Sequence, residues 1–306
     1  MRNAFAKAVT ELSDVYPELV MLAGDIGNRL FDGMKEKHPN RFLNCGVAEA
    51  NMTGVAAGLA ASGMRPITYT ITPFNTVRCL EQIRLDVCYP NLPVIIVGTG
   101  AGLSYAGLGA THHSMEDIAL LRTLPNMHVV CPADPVEVRL AVTDALRLGA
   151  PTYIRIGKKG EPTVHESDPH FEIGKGISIR EGNDIALVSV GNMLPEAVAT
   201  ADLLLASGIS AQVISLHTVK PLDHSLLSNI FANKKLVVVL EEHALIGGAS
   251  SAILEWGSDE GIDLSKLMRF GGPDRFLFAC GGQKQARKLA GLTSENITQK
   301  ILARLG

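Results

Sequence analysis

The chain has 306 residues, of which 46% are hydrophobic and only 5% aromatic, and its formal net charge is −3. Its length suffices for two domains with full cores, and its weak, scattered charge excludes an electrostatic interface with nucleic acid or an anionic membrane. No apolar run approaches the roughly 18 residues of a transmembrane helix. The five cysteines form no CxxC pair, so we expect a cytoplasmic protein with reduced thiols.

The first half of the chain alternates between short buried-strand patterns and helical patterns. The predicted strands are 18–24, 41–45, 66–71, 92–98, 127–133 and 152–156. Helical periodicity covers 1–19, 77–87 and 135–148. This alternation predicts a doubly wound α/β domain over residues 1–157.

Residues 158–183 are polar and contain Pro and Gly without a helical period, which indicates a linker, with a short hairpin. The alternation then resumes, with strands at 184–191, 210–216, 235–242 and 266–271 and helices at 196–208, 249–257 and 294–306. We therefore predict an α/β fold of two doubly wound domains with mainly parallel sheets, the second at 184–306.

Glu49 lies near the start of a helical run of small apolar residues, "NCGVAEANMTGVAAGLAASG". An acid in the first turn of a helix ordinarily complements the helix dipole. Here Val47 and Val55 are apolar and Gly54 and Gly58 allow close approach, so we expect a helix buried on most sides. Desolvation would favour the neutral acid, which suits proton exchange with a ligand nitrogen.

A strand followed by Gly98, Gly100 and Gly102 offers an alternative, a dinucleotide- or methyl-donor-binding loop. A true fingerprint opens directly into a helix and has an acidic residue about 20 positions later. Here a long glycine-rich loop follows instead, so we rank a free-standing nucleotide-binding protein low.

Several motifs in order then resemble one family over essentially the whole chain. They are "CGVAEANMTGVAAGLAASG", "PFNTVRCLEQIRLDVCYPNLPVIIVGTGAG", "GATHHSMEDIALLRTLPNMHVVCPADPVEV", "EEHALIGGASSAILE" and "GGPDRFLFACG". The chain resembles thiamine diphosphate enzymes of the transketolase and deoxyxylulose-phosphate synthase type, especially the second subunit of split transketolases. The resemblance implies a pyrimidine-binding domain over 1–157 and a transketolase C-terminal-like domain over 184–306.

The resemblance also implies roles for a cofactor-binding group. Glu49 would hydrogen-bond N1′ of the thiamine diphosphate aminopyrimidine and favour the imino tautomer that activates the thiazolium carbon. Phe74 would stack on the pyrimidine, and Arg78 would reach the cofactor or the substrate. Without the resemblance, Phe74 would be interpreted as a core aromatic and Arg78 as a solvated helix cation.

A second group is implied to bind substrate. His112 would act as a proton shuttle or carbonyl partner, and His113 would lie beside it. Lys158 falls near the arginine with which the family grips phosphate, and Asn28 is a further candidate. The ordinary alternative for a single loop histidine is a surface residue.

Two positions depart from the family pattern. Leu108 replaces an aspartate that contacts a donor hydroxyl, and Gly100 replaces a histidine used with acceptor phosphates. We therefore expect a substrate with fewer hydroxyls or without phosphate.

The diphosphate-binding half of such an enzyme, with its GDG motif and Mg²⁺ ligands, is missing, because "GDIGN" at 24–28 lacks that form. We expect no metal site on this chain, Mg²⁺ on a diphosphate-binding partner subunit, a shared cofactor, an α2β2 heterotetramer and no activity alone. The implied reaction transfers a two-carbon ketol unit, or a related acyl carbanion, between a ketose-type donor and an aldehyde acceptor. A 2-oxoacid dehydrogenase E1 beta-type subunit and a non-catalytic partner subunit stay open as alternatives.

Overall fold

The computed structural model describes residues 1–27, 29–278 and 281–306. Its first part comprises α1 (Arg2–Val15), β1 (Leu19–Ala23), α2 (Asp32–Lys37), β2 (Phe42–Asn44), α3 (Glu49–Ala61), β3 (Arg65–Ile71), α4 (Thr72–Asn75), α5 (Leu80–Gln82), β4 (Ile95–Thr99), α6 (Asp117–Arg122), β5 (His128–Val130), α7 (Pro135–Leu148) and β6 (Thr152–Ile156). The second part comprises β7 (Ile177–Arg180), β8 (Ile185–Val190), α8 (Leu194–Ala206), β9 (Ala211–Ser215), β10 (Thr218–Lys220), α9 (His224–Asn233), β11 (Leu236–Ala244), α10 (Ala249–Asp259), β12 (Leu267–Gly272), α11 (Gln283–Ala290) and α12 (Ser294–Leu305).

The strands form two sheets, and the fold class predicted from the sequence is confirmed. The seven-stranded sheet has the order β10-β5-β6-β4-β3-β1-β2, and the five-stranded sheet has the order β12-β11-β8-β9-β7. Neighbouring strands are parallel except for β10 against β5 and β7 against β9. Every residue of β1, β4, β6 and β8 is buried, as expected for parallel strands covered on both faces.

Helix α7 shows how local sequence sets these boundaries. The Asp134 carboxylate accepts hydrogen bonds from the amides of Val136 and Glu137, and Pro135 occupies the first turn. Gly149 ends the helix in the left-handed conformation, with φ of +63°. The predicted span of 135–148 is therefore confirmed.

The predicted helix over 77–87 is wrong as a single regular element. Three-residue α5 lies between a 3-10 turn at Val77–Cys79 and a π-helical segment at Ile83–Cys88. The Tyr89 amide donates to the Arg84 carbonyl oxygen five residues back, at 3.0 Å, which is the π-helical pattern.

The predicted hairpin within 158–183 is also wrong. The strand in this segment is β7, which pairs with β9 of the five-stranded sheet. Conversely, β10 belongs to the second part of the chain but pairs antiparallel with β5 of the seven-stranded sheet. We retain 1–157 and 184–306 as proposed domains, joined by a segment that contributes a strand to the second.

One core cluster connects the two sheets. It contains residues from the first sheet, such as Ile96 and Val129, together with Val188, Val239 and Trp256 from the second part. A second cluster lies under α1 and α7, where the Phe5 ring stacks on Tyr69 at 5.2 Å between centroids. No helix among the described residues is long and apolar enough to cross a membrane.

Candidate functional site

The candidate site lies where parallel strands of the first sheet end. Helix α3 follows β2, α4 follows β3, and a glycine-rich loop follows β4. Since the carboxyl ends of parallel strands meet at one sheet edge, these connections place Glu49, Phe74 and residues 100–116 together. We call residues 100–116 the histidine loop.

Glu49 is only 2% exposed, and its carboxylate is bound by a cation. Arg78 Nη1 donates to Glu49 Oε2 at 2.8 Å, while the Arg78 side chain is 45% exposed. The guanidinium carbon also lies 4.3 Å from the centroid of the Phe74 ring. A buried acid, a flat cation and an aromatic face therefore form one contiguous unit.

His112 extends this unit, because it also contacts Phe74. Its ring centroid lies 5.2 Å from that of Phe74 and 5.9 Å from that of Tyr105, both in edge-to-face orientation. Lys158 Nζ lies 4.6 Å from the Tyr105 ring centroid. Burial, and then the neighbouring His113, lower the pKa of His112 below its ordinary value. The imidazole is therefore neutral near pH 7 and can accept or donate a proton.

Tyr105 is the site residue that the sequence reasoning missed. Gly100 has φ of +93°, and a Cβ built on it would overlap Cδ2 and Cε2 of the Tyr105 ring. Gly100 thus makes room for an aromatic side chain from further along the loop. A tyrosine among closely spaced glycines in "GTGAGLSYAG" was the available signal.

His113 and His112 point in different directions, so the structure does not bring the two predicted histidines together. His113 is 6% exposed, and its Nε2 donates to the carbonyl oxygen of Ala106 at 3.0 Å. It lines a cavity with Met115 and Leu277, between the first sheet's loops and the C-terminal part. Successive side chains diverge because the backbone turns here.

The other predicted positions differ in how well they are placed. Leu108 is 56% exposed on the histidine loop, so its side chain lies outside the core. Asn28 lies outside the described residues. In residues 1–27, 29–278 and 281–306, no three His, Cys, Asp or Glu side chains converge in a way that could hold a metal ion.

The chemistry of these side chains fits an aminopyrimidine. The Arg78 guanidinium shows what Glu49 and Phe74 accept together: a flat N–H donor held between a carboxylate and an aromatic face. Beside them, Thr70 Oγ1 is buried without a hydrogen-bond partner among the described residues. A Cβ on Gly24 would lie 3.1 Å from this oxygen and 3.4 Å from Glu49 Cγ, so glycine keeps the site floor open.

The expectation that α3 is buried on most sides is wrong for this chain alone. Val47 is 75% exposed and Val55 is 38% exposed, with Asn51 and Gly58 exposed at helical spacing between and beyond them. A Cβ on Gly58 would meet no described atom within 4 Å. We call these four residues the outer face of α3; nothing in the described chain covers it.

Comparison with known proteins identifies the two halves of the chain. Residues 1–161 match the transketolase pyrimidine-binding domain, and residues 174–297 match the transketolase C-terminal domain. A putative transketolase C-terminal section from Methanocaldococcus jannaschii is 35% identical over 99% of this chain and 95% of its own length. A subunit of the apulose-4-phosphate transketolase from Actinobacillus succinogenes is 34% identical over 99% of this chain and 96% of its own length.

Among solved structures, a split-gene transketolase described as an inactive beta4 tetramer has a TM-score of 0.88 and 37% identity. The similarity covers 99% of this chain and 96% of that one. The resemblance inferred from the sequence motifs is therefore confirmed over both halves of the chain. The chain belongs to the transketolase family, in which it comprises a pyrimidine-binding domain followed by a transketolase C-terminal domain.

Proposed function

We propose that this chain is the pyrimidine-binding subunit of a two-subunit, thiamine diphosphate-dependent transketolase-like enzyme. It would transfer a two-carbon ketol unit from a ketose-type donor to an aldehyde acceptor. The observation that carries the proposal is the unit formed by buried Glu49, Arg78 and the Phe74 ring. The relatives named as one subunit of a transketolase and as a transketolase C-terminal section support the two-subunit form.

In this proposal Glu49 holds a proton at N1′ of the pyrimidine, and Phe74 provides the face against which the ring stacks. Arg78 would leave its place over Phe74 when the ring enters, because the two flat groups need the same space. When bound, thiamine diphosphate supplies a nucleophilic thiazolium carbon that carries the transferred unit. Its diphosphate and Mg²⁺ would be held by the partner subunit.

Three side chains would handle the substrate. Neutral His112 beside Phe74 would exchange a proton with the substrate carbonyl or hydroxyl oxygen. Tyr105 would form the wall beyond it, and Lys158, above the tyrosine ring, would meet an anionic end group. With a cation at this place, a phosphorylated sugar, such as the one in the name of the Actinobacillus relative, would present such a group even though position 100 is a glycine.

The partner would dock on the outer face of α3. This face presents two exposed valines, Val47 and Val55, follows the helix that begins with Glu49, and contains Gly58, at which another backbone could approach closely. A heterotetramer with two copies of each subunit follows if a two-fold axis relates two such pairs.

Reconstitution tests the proposal directly. The chain is mixed with the diphosphate-binding subunit, thiamine diphosphate and Mg²⁺, and ketol transfer is measured with a panel of ketoses and aldehydes. Glu49→Gln should lower turnover at least about 100-fold, because a positioned proton carrier contributes about 10²–10⁴-fold. The matched control is Glu81→Gln, since Glu81 is exposed and pairs only with Arg84 among the described ion pairs.

Wild-type turnover in the Glu49→Gln complex would contradict the assigned role of the carboxylate. Pyruvate-dependent dye reduction without ketol transfer would instead support the 2-oxoacid dehydrogenase E1 beta-type alternative. Stable assembly without either activity would support a non-catalytic subunit.

A further inference from the structure

The histidine loop is closed at its base and held from the other half of the chain. The Ser114 amide donates to the Gly102 carbonyl oxygen at 2.8 Å, which closes the loop between these two residues. His112, which faces Phe74, and Tyr105, which faces His112, lie inside this closed segment. What fixes its base therefore fixes their positions.

Glu242, on β11 of the second sheet, holds the first end of the base. Its side chain is fully buried, and Oε1 accepts a hydrogen bond from the Leu103 amide at 2.7 Å. The same oxygen accepts from Gln283 Nε2 at 2.9 Å, and Oε2 accepts from Arg287 Nε. A Cβ on Gly102 would lie only 2.5 Å from the Glu242 carbonyl oxygen, so the loop backbone lies directly against this residue.

Arg155 connects the second end to the same residue. Its Nη2 donates to the Ser114 carbonyl oxygen at 2.8 Å and to the Glu242 carbonyl oxygen at 3.0 Å. Its Nε donates to the buried Asp117 carboxylate at 2.6 Å, which balances its charge. Both ends of the loop base are therefore joined to Glu242, one through its carboxylate and one through its main chain.

Arg287 is the cation that lies against the Glu242 carboxylate. Burial would lower the pKa of Arg287, but the facing Glu242 raises it above its ordinary value, so the guanidinium stays charged opposite the carboxylate. A carboxylate that is buried beside a cation binds amide hydrogens strongly and in fixed directions. The pair therefore gives the Leu103 amide a rigid acceptor that belongs to a different sheet.

We propose that Glu242 is a positioning residue of the transfer reaction: from the C-terminal half, it sets the place of His112 beside Phe74 and of Tyr105 beside His112. The proposal rests on the function proposed above for the site. It gives the C-terminal half a part in catalysis without contact with substrate. Misplacement of a reacting group by about 1 Å can lower a rate 10²-fold, so a loosened loop base has a large effect.

Glu241 offers a matched control, because it is the preceding residue of the same strand and is also fully buried. Its carboxylate accepts from the amides of Ala249 and Ser250 at 2.8 and 3.0 Å and from the Ser250 hydroxyl at 2.6 Å. These bonds stay within the C-terminal half. Glu241→Ala therefore removes a buried carboxylate of similar structural importance without touching the histidine loop.

The first test needs neither partner nor cofactor. Amide hydrogen exchange is measured on the chain for wild type, Glu242→Ala, Glu242→Gln and Glu241→Ala. Glu242→Ala should accelerate exchange over 103–114 at least tenfold, Glu242→Gln by less because its amide oxygen still accepts from Leu103, and Glu241→Ala by less than twofold. In the reconstituted enzyme, Glu242→Ala should lower kcat at least tenfold and raise KM for the acceptor, with Kd for thiamine diphosphate changed less than twofold.

Equal effects of the two alanine variants, or unchanged exchange in the loop of Glu242→Ala, would overturn the proposal. Should Glu242→Ala fail to fold, Gly102→Ala is the second variant, because its Cβ would lie 2.5 Å from the Glu242 carbonyl oxygen and 2.6 Å from Oε1 and would push the loop base away from this residue. It should give the same exchange and kinetic changes. If even the wild-type complex transfers no ketol unit, the proposed function fails. The exchange experiment then still decides whether Glu242 holds the loop.

Discussion

Replacing Gly100 by alanine should be costly because of Tyr105. The residue has φ of +93°, where a Cβ costs roughly 1–2 kcal/mol. The new methyl group would also overlap the Tyr105 ring, and overpacking of this kind costs about 1–3 kcal/mol. We expect Gly100→Ala to lower the free energy of unfolding by the sum of these terms, about 2–5 kcal/mol.

A double-mutant cycle separates the two contributions. In a Tyr105→Ala background only the backbone contribution remains, so Gly100→Ala should cost about 1–2 kcal/mol there, with a coupling of about 1–3 kcal/mol. Gly208→Ala is the control for the backbone, since Gly208 has φ of +81° and a Cβ there would meet no described atom within 4 Å. Urea denaturation of each variant gives these values.

The cycle also bears on substrate recognition. In the reconstituted enzyme, both Gly100→Ala and Tyr105→Ala should raise KM for the acceptor, because both remove the ring from beside His112. A coupling free energy indistinguishable from zero, with Gly100→Ala no costlier than Gly208→Ala, would show that the ring does not pack on Gly100. The assignment of Tyr105 to the site would then be refuted.

Three further outcomes can be measured. Arg155→Met should lower the free energy of unfolding by about 3–5 kcal/mol, because it leaves a buried carboxylate uncompensated, whereas Arg122→Met, whose partner is exposed, should cost less than about 1 kcal/mol. A buried glutamate partner raises the pKa of His165, although burial opposes this change. The wild type should therefore exceed His165→Gln in stability by the largest margin below the ordinary histidine pKa, and this margin should decline as pH rises through the raised pKa. Urea midpoints measured across pH test this. Val55→Lys should weaken partner binding at least tenfold and leave the unfolding midpoint unchanged, whereas the control Leu205→Lys, on α8, should change neither quantity. Titration calorimetry measures the binding, and urea denaturation measures the midpoint.

Local patterns predicted the elements whose partners lie nearby. Buried runs such as 92–98 contain strands because every side chain of β4 is covered, and helix α7 begins and ends at its own capping residues. The strand β10 has only three residues, and its partner β5 is almost 90 positions earlier, so nothing in its own sequence marks it. The π-helical segment after α5 likewise depends on contacts with its surroundings, which periodicity does not report.

The candidate site likewise has one part that the sequence predicted and one part that it did not. Glu49, Phe74, Arg78 and His112 lie together because three connections end at one sheet edge, which the strand order implies. The direction of a side chain within a glycine-rich loop depends on backbone angles that residue types do not determine. For this reason Tyr105 could not be placed from the sequence.

The return of β10 to the first sheet has a consequence for synthesis on the ribosome. The outer edge of β5 acquires its partner only when residues 218–220 have left the exit tunnel, after most of the second sheet's strands have been made. Until then a nascent chain presents an unpaired strand edge, a template for pairing with other chains. Fragments ending near residue 183 should therefore aggregate during expression, and fusion or shuffling of this half should carry the β10 segment with it.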